Sequence, residues 1–286
     1  MTTPGVRLGS FALVLAGVFA SAYGIGEAIP GHAHSATSGS TASQPSTDAS
    51  HQHNAPATDP HAAPGSNGAG AGVAGLSSLV DGHRIVVASP TDATTATLTF
   101  HIEHNGQPVT AFDDAHGARL HLLVVSGDLS SFQHLHPSMD AAGTWSTPVT
   151  WPVGGPYRLV ADLHPTDGEA MALGTDLVVP GSPSMQPLPA PSDDVTTPEG
   201  LRVVRHGAAF TVTPADELEP YLGQAAHLVA FRSGNNMYRH LHAESGAESG
   251  EFSFAWDLPP GTWRLFLQFS RLGQVITVPF TVDVPG

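Results

Sequence analysis

Cysteine and lysine are both missing from the 286 residues. Without Cys there can be no disulfide, no thiolate metal site and no Cys nucleophile. Without Lys there is neither a P-loop lysine nor a Schiff-base amine. The ten basic residues are therefore all Arg, set against 25 acids for a net charge of -15. That balance offers no basic stripe for phosphates and excludes nucleic acid as a partner. The chain also lacks a convincing amphipathic helix, an H-E-x-x-H, a G-x-S-x-G and a partnered general base, so an enzyme is not expected. Gly70, Gly72 and Gly75 form a G-x-G-x-x-G, but it lies in an Ala/Gly stretch rather than between a strand and a helix. It is not read as a dinucleotide site.

What is abundant is histidine, with 17 residues unevenly placed. Five of them, His32, His34, His51, His53 and His61, fall in residues 27–75, which are otherwise mostly Gly, Ala, Ser, Thr and Pro, almost without large apolar side chains. Such a segment buries too little to offset its ordering entropy and reads as a disordered linker, with a capacity for loose metal binding. Before it, Arg7 precedes an apolar run from Leu8 to Ala22. Residues 1–26 thus read as a hydrophobic helix that exports the chain. It is expected to stay as a single membrane anchor with the body outside the cytoplasm, or else to be cleaved near Ala22 with secretion.

Beyond residue 76 the texture is short β-rich runs punctuated by Gly, Pro and Asp, the pattern of an all-β sandwich. Expected strands include Ile85–Val87, Thr97–Ile102, Leu120–Val125, Phe132–His136, Tyr157–Leu163 and Asp176–Val179. Residues 76–181 and 198–286 read as two tandem antiparallel β-sandwiches, Ig-like or cupredoxin-like, joined by a Pro/Ser linker over 182–197. They are copies: an offset of 106 residues aligns 112–163 with 218–269 without a gap. Ten of those positions are identical and three of the ten are histidines. His121, His134 and His136 thereby match His227, His240 and His242.

Each triple fits a hairpin. Pairing Val125 with Phe132 puts Leu123 opposite His134 and His121 opposite His136. In the second copy His227 then faces His242, Val229 faces His240 and Phe231 faces Tyr238. The period of two keeps the rings on one face, within reach of a shared ion. Three neutral imidazoles on a rigid hairpin suit Cu(II), Zn or Ni. Protons should then compete around an unperturbed pKa of about 6.5, so that affinity falls between pH 7 and pH 5. Each sandwich is expected to hold its own independent site. The first would be the fuller, since His116, Met139 and His164 are candidate extra donors there, opposite Leu222, Ser245 and Ser270. Two other readings stand beside this one. The histidines can be structural residues of an Ig-like interaction module, or an open site with Asp162 or Glu244 nearby can support metal-enzyme chemistry.

The segment from His121 to Pro137, ending His134-Leu135-His136-Pro137, resembles a family of exported actinobacterial proteins. Leu218 to Gly223, His227 and His240-Leu241-His242 are similar to that family's second block. The resemblance implies copper or other heavy-metal handling, by a buffer, chaperone or sensor that can serve a membrane metal transporter. Ala243 departs from the pattern where the first copy has Pro137.

Overall fold

The computed structural model describes residues 75–88, 95–243 and 249–286. The N-terminal hydrophobic segment, the His-rich linker up to residue 74 and Glu244 lie outside the described residues. Among the described residues no helix is long and apolar enough to cross a membrane.

All regular structure described is antiparallel β-sheet. In the first half, one sheet has the order β1 (Leu79–Val80), β2 (His83–Val87), β3 (Thr95–His104), β8 (Thr144–Thr150), β7 (Ser138–Met139), with β4 (Gln107–Pro108) also on β3. The facing sheet runs β10 (Met171–Val179), β9 (Gly155–Leu163), β5 (Leu120–Ser126), β6 (Phe132–Leu135). Strand β8 is absent from the sequence-based expectation. It carries Pro148, which a ladder tolerates at an edge. The short β7 pairs only with Trp145 and Ser146, which leaves the rest of β8 uncovered on that side. At its far end the side chain of Gln133 bonds both backbone groups of Thr150.

The second half repeats the plan. One sheet is β11 (Asp194–Thr196), β12 (Arg202–His206), β13 (Ala209–Thr213), β17 (Glu251–Ser253). The other has β19 (Gln274–Val284), β18 (Gly261–Arg271), β15 (His227–Arg232) and β16 (Tyr238–His242) side by side, with β14 (Leu218–Glu219) also on β18. By the offset of 106, β5 matches β15, β6 matches β16 and β9 matches β18.

Each half has its own core. Phe100, Leu122, Val124, Trp145 and Leu159 belong to one, and Phe210, Leu228, Ala230, Phe252 and Trp263 to the other. Strands β5 and β15 alternate as strands must, yet β5 is buried throughout and β15 at every residue but Arg232. Leu120, Leu122 and Val124 point into the first core, while Leu123 and Val125 join Val160 in a third cluster. That cluster also contains Val229, Phe231, Tyr238 and Phe266 of the second half. The β10-β9-β5-β6 sheet and its counterpart thus pack against each other through their outer faces. Both faces being covered explains the near-continuous apolar runs.

Candidate metal centre between the two sandwiches

The hairpin registers agree with the sequence expectation. Val125 pairs with Phe132 and Leu123 with His134, while His227 pairs with His242, Val229 with His240 and Phe231 with Tyr238. Because His121 alternates with Leu123 and Val125, and His227 with Val229 and Phe231, both triples lie on the outer faces that meet. The expectation of two independent sites is therefore corrected: the triples abut. Ring centroids of His121 and His240 are 5.2 Å apart, those of His134 and His240 5.0 Å, and those of His134 and His227 5.7 Å. Two groups of donor atoms converge to within 4.8 Å, His121–His134–His240 and His227–His240–His242. The first draws on both sandwiches, and His240 belongs to both groups.

Of the candidate extra donors, His116 and His164 belong to neither group of converging atoms. His116 stacks on His242 at 3.7 Å and so joins the second copy's side. It stands with positive φ, as does Gly117, in a tight turn whose equivalent is Leu222-Gly223. Met139 packs against the first core. His164 bonds the carbonyl of Gly168 and lies 3.8 Å from Asp113.

The tight turns have a second use. Nε2 of His121 is 3.0 Å from the Ala115 carbonyl, and Nε2 of His227 is 3.1 Å from that of Tyr221. A carbonyl oxygen only accepts, so both Nε2 atoms carry the proton and both Nδ1 atoms, in the neutral rings, carry the lone pair. The second His of each triple is fixed the other way round. Nδ1 of His134 donates to Oε1 of Gln268 at 2.8 Å, whose own amide nitrogen donates to Thr277. Nδ1 of His240 donates to Oδ2 of Asp162 at 3.3 Å. Gln268 and Asp162 are equivalent positions in the two copies, so each sandwich orients the inner histidine of the other.

Burial keeps these rings neutral. Removal from water pushes His134 and His240 well below the usual imidazole range, with neighbouring histidines adding to the effect. Desolvation likewise lowers His121 and His242, brings His136 to about 4 and brings His227 to about 3. In consequence two lone pairs face each other in each copy. Nδ1 of His121 and Nε2 of His134 are 2.9 Å apart, and Nδ1 of His227 and Nε2 of His240 are 3.1 Å apart. Nε2 of His136 adds a third nitrogen 3.2 Å from Nδ1 of His121. With metal–nitrogen bonds of about 2.0–2.1 Å, neighbouring donors lie about 2.9 Å apart in a square-planar site and about 3.3 Å apart in a tetrahedral one. The observed separations, 2.9, 3.1 and 3.2 Å, fall between the square-planar value and the tetrahedral one. Nε2 of His242 is also buried without a hydrogen-bond partner among the described residues.

Sequence reasoning did not find Gln268 and considered Asp162 only as an acid near a catalytic site. A signal was present, since both are polar residues on the outward face of strands whose neighbours there, Val160 and Phe266, are apolar.

A family profile described as "Domain of unknown function (DUF8832)" matches residues 78–180 and again 197–286. No curated protein matches the chain. Among solved structures, a tetra-tandem repeat from the extending region of a large adhesion protein is similar at 14% identity and a TM-score of 0.25. That likeness covers 70% of this chain and 48% of the other, so this chain spans about half of that segment's length. A two-domain fibronectin type III segment from chicken tenascin is 10% identical with a TM-score of 0.21, over 70% of this chain and 97% of that one. FdeC, an Escherichia coli adhesin, is 15% identical with a TM-score of 0.25, over 74% and 66%.

Proposed function

The chain belongs to the DUF8832 family, with its domain present twice, and we propose that it binds a first-row transition ion, copper before zinc, where its two sandwiches meet. The observation that supports this most directly is the facing pair of lone pairs in each copy. Two such lone pairs repel, and burial opposes the proton that would bridge them, whereas a cation between them turns the contact into ligation. In this reading His121, His134, His136, His227, His240 and His242 supply the donors and His116 lies beside them. With the export segment expected from the sequence and the resemblance to a family of exported proteins associated with metal handling, the proposed role is that of a membrane-tethered buffer, chaperone or sensor outside the cytoplasm, able to exchange its ion with a membrane transporter.

The test is calorimetric titration of the metal-stripped chain with Cu(II) and with Zn(II) at pH 7. Saturable uptake well below millimolar concentration is expected, together with its loss in His121→Ala/His240→Ala. Uptake no better than millimolar would defeat the proposal. The second reading, a rigid interaction module with structural histidines, is favoured by the bonds from His134 to Gln268 and from Tyr238 to Asp162, which join the sandwiches without any ion. It predicts the same melting temperature with and without metal.

A further inference from the structure

Although the two copies supply the same histidines, they differ in what stands behind them. Asp162 pairs across the ladder with His121 in its own sandwich and accepts from Nδ1 of His240 in the other. Gln268 occupies the equivalent place, paired with His227 and accepting from His134. Among the described residues, Asp162 is the one carboxylate hydrogen-bonded to a ring of either triple. The Tyr238 hydroxyl donates to the same Oδ2 at 2.7 Å and helps to fix its direction.

A carboxylate on the far nitrogen of a ligating imidazole does three things. It holds the tautomer that leaves the near nitrogen free, and it makes that nitrogen a stronger donor. It also brings negative charge beside a cation that has left water, which a neutral amide does not. His240 belongs to both groups of converging donors, so whatever strengthens it acts on both. On the basis of the metal-binding reading, we infer that Asp162 is a positioning residue that makes His240 the anchor ligand of the whole cluster, while Gln268 gives His134 a weaker role.

The test is a charge relocation with shape-conserving substitutions, read by titration with Zn(II) and Cu(II). Asp162→Asn is expected to weaken binding about 10–100-fold. Gln268→Glu in the same chain puts the carboxylate behind His134 and is expected to restore at least half of that loss on a logarithmic scale. A purely structural Asp162 would not be rescued from the other sandwich. Wild-type affinity in Asp162→Asn overturns the inference, and so does a loss that Gln268→Glu leaves unrepaired. A wild-type chain that takes up neither ion overturns the metal-binding reading and this inference with it, so the two failures are distinguishable.

Discussion

His227 is fully buried and its pKa is brought to about 3, chiefly by desolvation. The unfolded chain would titrate it near 6.5. The folded value is the lower one, so between these limits the unfolded state binds more protons. The stability contribution is therefore whole above pH 6.5 and is lost as pH falls. The metal-free protein should lose about 1.4 kcal/mol per pH unit below pH 6 from His227 alone. Urea unfolding at pH 7.5, 6 and 5 measures this, and a flat profile would contradict it. Metal uptake should follow a different course from the one unperturbed histidines suggest. With His136 at about 4 and His227 at about 3, protons compete weakly at pH 5. Zn(II) is expected to remain bound at pH 5 and to be released nearer pH 4, as a pH-stepped dialysis would show.

At the scale of elements, β10 accommodates a crossing chain. Gly174 donates to the Ser77 carbonyl, Gly75 donates to that of Ala172, and Arg158 reaches the carbonyls of Gly75 and Leu76. A Cβ on Gly174 would fall on the carbonyl oxygen of Gly75. Gly174→Ala should cost about 1–3 kcal/mol or displace the crossing segment, read as a lower urea midpoint. Because Gly75 takes part in these bonds, a chain starting at Leu76 should melt below one starting several residues earlier. The hairpins were legible because a period of two and a fixed turn leave one register that keeps the histidines together. Strand β8 was not, because Pro148 breaks the run that would announce it. The meeting of the triples was not anticipated either, although the sequence carries its signal. Leu120 to Val125 holds a single polar residue, His121, and a strand this apolar on both faces needs a second partner besides its own core.

For the whole molecule, an ion held by His121, His134 and His240 would tie one sandwich to the other. At a free ion concentration a hundred times Kd the gain is about 2.7 kcal/mol, or about 5–10 °C in Tm for a chain of this size. Differential scanning calorimetry with and without chelator should show that shift, and His240→Ala should abolish it. Phe132 stacks on Phe266 across the same seam, with ring centroids 4.2 Å apart. Phe132 is half-buried, so Phe132→Ala should cost about 3 kcal/mol, the low end for a core aromatic, and split the calorimetric transition into two. The reciprocal contacts, Asp162 with His240 and Gln268 with His134, have the form of an isologous interface, in which each partner offers the other the same patch. The chain thus holds within one polypeptide what a symmetric homodimer of single sandwiches would hold between two. Two-fold symmetry would force both halves to carry the same acceptor, two carboxylates or two amides. Fusion lifts that constraint, and the mixed pair found here is an arrangement no symmetric dimer of one sequence could encode.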